Sequence, residues 1–237
     1  MTYTDLFLDF DDTLYDTRGN AQIALGELYE HFQLSQYFAA PDDFFVPYWQ
    51  TNTELWEQYA AGKINRDYLI VERFRRPLSL GQSADGSSFN PSRDYCLNMS
   101  DVFLDFCSCK PGLIDGAREL MDYLRSRKYK IHMCSNGFHE VQFKKLRSCG
   151  LIDYFDSIIL SEDAGANKPS AQFFDYAFSK TGASRNTTIM IGDNPVTDIR
   201  GAHDYGLDTL FFDRKATQLD FIPTHHVQDL REIMEIL

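Results

Sequence analysis

The chain has 237 residues, 43% of them hydrophobic, enough for one large domain or a core with a modest insertion, and its composition is not that of a disordered segment. A formal net charge of −12 argues against nucleic acid or an anionic membrane as partner, since both need basic patches. Five cysteines at spacings that match no disulfide framework, no apolar run of about eighteen residues and no charged-then-apolar leader set the expectation of a soluble protein of the reducing cytoplasm.

The first predicted element is a strand over residues 4–10, apolar along nearly its whole length, as a strand buried on both faces should be. It runs into Asp9, Asp11 and Asp12, three carboxylates within four residues. Like charges this close repel, so the pattern points to a cation, and oxygen-only ligands favour a hard ion such as Mg²⁺. An acidic turn after a strand is the plainer alternative. From Arg18 to about Lys110 the periodicity is helical. Segments run from Ala21 to Phe32, with Ile23, Ala24, Leu28, Tyr29 and Phe32 on one face, and from Asp42 to Ala61, with Gly62 as terminator. A third starts after Asn65 and ends near Leu78, and a fourth spans about Ser92 to Cys107. The Gly- and Ser-rich stretch Leu80–Pro91 reads as a loop. Phe44, Phe45, Tyr48, Trp49, Trp56 and Tyr59 crowd one helix; packing explains most of them, and some could stack on a planar base.

From Pro111 strands and helices alternate. Strands are predicted at Tyr129–Cys134, Ser157–Leu160, Thr187–Ile191 and Thr209–Phe212, and helices near Ile114–Arg127, Glu140–Cys149, Ala171–Thr181 and Val196–Tyr205. Such alternation implies parallel strands with right-handed crossovers. The expected fold is α/β: a doubly wound parallel sheet formed by residues 1–16 and 111–237, split by an α-helical insert at 17–110. Ligands of such sheets sit at the carboxyl ends of the strands. Those ends carry Asp9 and Asp11, then Ser135-Asn136-Gly137, then Lys168-Pro169, then Gly192-Asp193 with Asp198 five residues on. Each alone has a dull explanation: Ser135 a helix cap, Lys168 a solvated charge, Asp193 and Asp198 caps of the next helix. Together they supply carboxylates for Mg²⁺ and donors for phosphate oxygens, the needs of phosphoryl transfer.

In order and spacing, Asp9-Phe10-Asp11-Asp12-Thr13-Leu14, Ser135-Asn136-Gly137, Lys168-Pro169 and Gly192-Asp193-x4-Asp198 resemble the four motifs of the haloacid dehalogenase superfamily. The resemblance covers the whole chain, because the helical insert falls where that superfamily carries a four-helix cap. It implies Asp9 as nucleophile, forming an aspartyl-phosphate, and Asp11 as general acid and then base. It implies Mg²⁺ bound by the Asp9 carboxylate, the Asp11 carbonyl and the Asp193 carboxylate, with Asp198 and Thr13 in support. Ser135, Asn136 and Lys168 would bind the phosphoryl group. A carboxylate at Asp11 fits phosphatases and phosphomutases rather than dehalogenases. Lys63, the candidate for a phosphonatase-type Schiff base, sits in what reads as an exposed turn. A closer resemblance is carried by Asn52–Gly62, Ser135–Phe138, Tyr154-Phe155-Asp156 and Ser161-Glu162. These are similar to bacterial pyrimidine 5′-nucleotidases, which implies a small phosphate monoester, a nucleotide, as substrate. The alternatives are a sugar-phosphate or phosphoglycolate phosphatase, a phosphomutase, and an inactive binding protein on the same fold.

Overall fold

A computed structural model describes residues 3–237. In chain order the elements are β1 (Asp5–Leu8), α1 (Thr17–His31), α2 (Asp42–Ala60), α3 (Arg66–Leu78), α4 (Arg93–Ser108), α5 (Ala117–Ser126), β2 (Lys130–Ser135), α6 (His139–Ser148), β3 (Ser157–Leu160), α7 (Ser161–Ala164), α8 (Ala171–Thr181), β4 (Thr188–Gly192), a π-helical turn at Pro195–Arg200, α9 (Gly201–Tyr205), β5 (Asp208–Phe212), β6 (His225–Val227) and α10 (Ile233–Ile236). The chain divides into two compact units, one of residues through Arg18 with Pro111–Leu237, the other of Gly19–Lys110.

The first unit is built on a six-stranded sheet of order β3-β2-β1-β4-β5-β6, every neighbouring pair parallel. β1 is central, with Leu6 in register with Ile131 on one side and Ile189 on the other. Its side chains alternate between two fully buried clusters. Leu6 and Leu8 join Ile131, Met133, Ile189 and Ile191, while Phe7 joins Cys134, Ile159, Met190, Phe173 and Phe174. That double burial is why the strand lacks polar alternation. Strand order reverses between β1 and β4, so the carboxyl ends of these two strands flank the switch point. Asp9 and Asp193 directly follow them.

Two features of this unit depart from expectation. Residues 195–205 are not one α-helix but a π-helical turn followed by short α9. The side chain of Asn194 accepts the N–H groups of Val196 and Thr197, both at 3.0 Å, while Asp198 reaches back to the Asn194 N–H at 3.1 Å. These local bonds compete with the ordinary helical pattern. The short edge strand β6, only three residues long, carries too little periodicity to be read from sequence.

The second unit consists of α1 from Gly19 onward and α2, α3 and α4, around Leu25, Leu28, Phe44, Tyr48, Phe74, Met99 and Phe103. Asn65 and Ser92 cap α3 and α4 by accepting the Tyr68 and Tyr95 N–H groups at 2.9 and 3.1 Å. Gly62, with φ +69°, follows α2 in the left-handed region. Helix α1 starts at Thr17, ahead of Ala21, and its buried stripe runs Ala21, Ala24, Leu25, Leu28 and Tyr29; Ile23 is exposed. Residues 80–91 are irregular apart from a bridge between Gln82 and Ser88 around Gly86. Lys63 is exposed.

Candidate active site

The chain leaves β1 at Asp9, whose N–H still bonds the Ile191 carbonyl of β4 at 2.9 Å. It then folds back on itself. Leu14 and Tyr15 both donate to the Phe10 carbonyl at 2.9 Å, and Asp12 adopts a left-handed φ of +60° that few residues other than Gly, Asn and Asp accept. The turn returns Thr13 to the strand end. Its hydroxyl lies 2.8 Å from Asp9 Oδ2 and 3.2 Å from Asp193 Oδ1, and accepts the Asp193 N–H at 3.1 Å. One buried hydroxyl thus ties the β1 and β4 ends together.

Lys168, 1% exposed, donates from Nζ to Asp9 Oδ1 and Asp198 Oδ1 at 2.7 Å each and to the Cys134 carbonyl at 2.6 Å, which accounts for all three of its protons. The Asn136 side chain grips the Lys168 backbone at both ends, accepting its N–H at 2.8 Å and donating to its carbonyl at 2.9 Å. So the Asn136 side chain is engaged in holding the lysine, which leaves the expected contact of this residue with the phosphate to its backbone amide. Gly192 is where side-chain size matters. A Cβ there would lie 2.4 Å from Asp198 Oδ2, inside the space that carboxylate fills.

Asp9, Asp193 and Asp198 present carboxylate oxygens within 4.8 Å of one another. Lys168 supplies one positive charge against the three, and the imbalance shows in their acidity. Burial first, and then the Asp198 charge, push Asp9 up to about 7 despite Lys168. Burial, then Asp9 and Asp198, push Asp193 up to about 8. Lys168 is held above the usual lysine range, because the attraction of Asp198 and Asp9 outweighs its burial. Surplus negative charge on oxygen donors is what a hard divalent cation neutralises, so these residues fit Mg²⁺. Asp198 already spends Oδ1 on Lys168 and Thr197 and Oδ2 on the Asn194 N–H, which leaves Asp9 and Asp193 the better ligands and Asp198 the brace.

Asp11 lies in different company. Its Oδ1 takes Lys145 Nζ at 2.5 Å and the Thr17 hydroxyl at 2.6 Å; its Oδ2 takes Gln142 Nε2 at 2.5 Å. Burial would raise its pKa, but the Lys145 charge and these three donors outweigh burial and hold it below the usual carboxylate range. Gln142 Nε2 is also 2.6 Å from Ser135 Oγ, which in addition accepts the Gly137 N–H at 3.0 Å. The predicted residues therefore fall into two bonded sets. Asp9, Thr13, Lys168, Asp193 and Asp198 form one, with Asn136 gripping Lys168; Asp11 and Ser135 belong to the other, joined by Gln142. Sequence reasoning did not single out Lys145, Gln142, Thr17 or Asn194. For Lys145 and Gln142 a signal existed: polar residues three apart on a helix that opens directly after Ser135-Asn136-Gly137 share one face.

Compared with known proteins, residues 6–206 match the profile of haloacid dehalogenase-like hydrolases. The Bacillus subtilis protein YfnB is 32% identical over 239 residues, covering 99% of this chain and 95% of YfnB. Its magnesium-bound crystal structure superposes with a TM-score of 0.86 at 29% identity, covering 100% of this chain and 99% of that one. The pyrimidine 5′-nucleotidase PynA of Streptococcus pneumoniae is 30% identical over 243 residues, covering 100% of this chain and 96% of PynA. The pyrimidine 5′-nucleotidase YjjG of Escherichia coli is 28% identical over 242 residues, covering 100% and 99%. Among the described residues, no helix is long and apolar enough to cross a membrane.

Proposed function

The chain belongs to the haloacid dehalogenase-like hydrolases, and from that premise we propose that it is a Mg²⁺-dependent phosphomonoester hydrolase acting through an aspartyl-phosphate on Asp9, with pyrimidine nucleoside 5′-monophosphates as preferred substrates. The observation that carries the reading is geometric: Asp9, Asp193 and Asp198 bring carboxylate oxygens within 4.8 Å of one another, Lys168 bonds two of the three, and Asp11 stands beside them tied to Ser135 through Gln142. Asp9 is the nucleophile: its oxygen bonds to phosphorus as the bond to the leaving oxygen breaks. Asp11, which Lys145 holds ionised in the free chain, must take up a proton as the substrate binds, and it then delivers that proton to the leaving alkoxide. In the second half, water attacks the phosphorus of the acyl-phosphate and Asp11, held ionised by Lys145, takes the water's proton; phosphate leaves and the Asp9 carboxylate returns.

Lys168 offsets charge on Asp9 and on the incoming phosphate, which would otherwise meet several carboxylates at close range. A Mg²⁺ ion held by Asp9 and Asp193, when bound, would keep both ionised and neutralise part of the phosphate charge. Ser135 Oγ serves a phosphoryl oxygen. The pyrimidine nucleotide preference is supported by whole-length similarity to PynA and YjjG. The test is phosphate release, reported as kcat/KM with and without Mg²⁺, from UMP, dUMP, dTMP, glucose 6-phosphate and phosphoglycolate. Preference for the pyrimidine nucleotides is the expected result. Preference for a sugar phosphate or phosphoglycolate would move the substrate class, and isomerised product without free phosphate would make the chain a phosphomutase.

A further inference from the structure

Ser135 Oγ has two acceptor positions and one proton. Both acceptor positions are taken, one by the Gly137 N–H at 3.0 Å and one by Gln142 Nε2 at 2.6 Å. The hydroxyl proton therefore has to point elsewhere, and Ser135 can act outwardly only as a donor. Gln142 is fully buried, and the same Nε2 donates to Asp11 Oδ2 at 2.5 Å. Its Oε1 is buried with no hydrogen-bond partner. An orphaned buried acceptor is costly, and a flip of the amide would turn that oxygen toward both Ser135 and Asp11. With Lys145 and Thr17 already donating to Asp11 Oδ1, the observed orientation gives Oδ2 its donor as well, and a flip would set the amide oxygen against that carboxylate oxygen. Gly137 makes the approach possible, since a Cβ there would sit 2.2 Å from Gln142 Nε2. Lys145, one helical turn further along α6 and itself buried, holds the other Asp11 oxygen.

We infer that Gln142 is a positioning residue: one amide group fixes the orientation of the proton-transferring carboxylate and the donor polarity of the phosphate-binding hydroxyl together. The inference rests on the phosphatase reading, and it adds that the Asp11 and Ser135 functions are linked through a single side chain. Such a residue acts through its neighbours, so its removal should not add to theirs.

The experiment is a pair of double-mutant cycles on the Mg²⁺-loaded full chain, measuring kcat/KM for UMP, with its poor alkoxide leaving group, and for p-nitrophenyl phosphate, whose leaving group needs little protonation. Gln142→Met should lower kcat/KM for p-nitrophenyl phosphate on the order of tenfold, the scale of one lost orienting donor, and for UMP by a further factor of about ten. In a Ser135→Ala background the same change should cost less than about twofold on p-nitrophenyl phosphate. In an Asp11→Ala background the extra sensitivity of UMP should vanish. Losses that simply multiply in both cycles, or equal losses on both substrates, overturn the inference. Should Gln142→Met fail to fold, Gln142→Asn, which keeps the amide but shortens its reach, and Gly137→Ala, which pushes the amide out, report the same cycles. A wild-type chain that releases no phosphate removes the functional reading and the inference with it. Wild-type turnover with multiplying losses removes the inference alone.

Discussion

Lys168 of the α/β unit and Arg73 of the helical unit are both large, almost fully buried cations, and the two are treated in opposite ways. Lys168 of the α/β unit is surrounded by formal charge, with two carboxylates at 2.7 Å and a carbonyl. Arg73 of the helical unit, 2% exposed, donates to the Ser100 hydroxyl at 2.7 Å and lies over the Phe74 and Phe103 rings at 5.2 and 5.4 Å; its Nε has no partner. Burial accordingly pulls Arg73 below the usual arginine range, whereas Lys168 is held above that of lysine. A cation stacked on rings in an aromatic cluster completes packing. A cation shared by two carboxylates at a strand switch point is part of an electrostatic device. Buried charge by itself does not mark a site; the company it keeps does.

The comparison predicts a hierarchy. Asp9→Asn, which alters one oxygen in the α/β cluster, should cut phosphatase kcat on the order of 10⁴-fold or more with little change in Tm; substantial turnover in that variant would remove Asp9 as nucleophile. Lys168→Met should abolish turnover and also destabilise the fold by about 3–5 kcal/mol, because it strands two buried carboxylates. Denaturant unfolding checks the second half, and a stable variant would mean that the cluster tolerates its surplus charge.

The next effect is a pH dependence. Asp9 and Asp193 stand near 7 and 8 in the fold against an ordinary 3.8, so the folded metal-free chain holds protons that the unfolded chain has released. Their contribution to stability is complete below about pH 4 and is lost as pH rises through 7 and 8. Asp11, held low, acts in a separate window: its contribution is present above the ordinary carboxylate value and is lost only in stronger acid. The Tm of the metal-free chain should therefore fall as pH rises from about 4 to 8 and level off above that, and Mg²⁺ should raise Tm more at the alkaline end. Equal gains at both ends would argue against Asp9 and Asp193 as ligands. The smallest effect belongs to the helical unit. Arg73→Met should change stability by no more than about 1 kcal/mol in either direction and leave kcat near wild type, since it exchanges a poorly partnered buried charge for a thioether of similar reach. A collapse of activity there would erase the contrast between the two cations.

The sequence made the α/β unit legible because strands buried on both faces leave unbroken apolar runs, and because chemistry at a doubly wound sheet gathers where those runs stop. Asp9, Ser135, Lys168 and Asp193 could be picked out by position alone. For Gln142 and Lys145 the spacing offered only a shared helix face, since on a helix a buried polar residue and a solvated one look alike until the opposing surface is known. The same ambiguity placed Ile23 on the packed face of α1, when Leu25 occupies it and Ile23 is exposed. The π-helical turn at Pro195–Arg200 escaped because its cause is a set of side-chain bonds from Asn194 and Asp198 that leaves the apolar periodicity of the segment unchanged.

Gly137 and Gly192 stand just past β2 and at the end of β4, and the space a methyl group would need at each is already held by Gln142 and by Asp198 respectively. In a saturation library selected for turnover, both columns should therefore be weighted heavily toward the parent letter, although neither position carries a reactive atom. Anyone redesigning this enzyme for a new substrate inherits two fixed points in the sequence, imposed by hydrogen atoms that must remain hydrogen atoms.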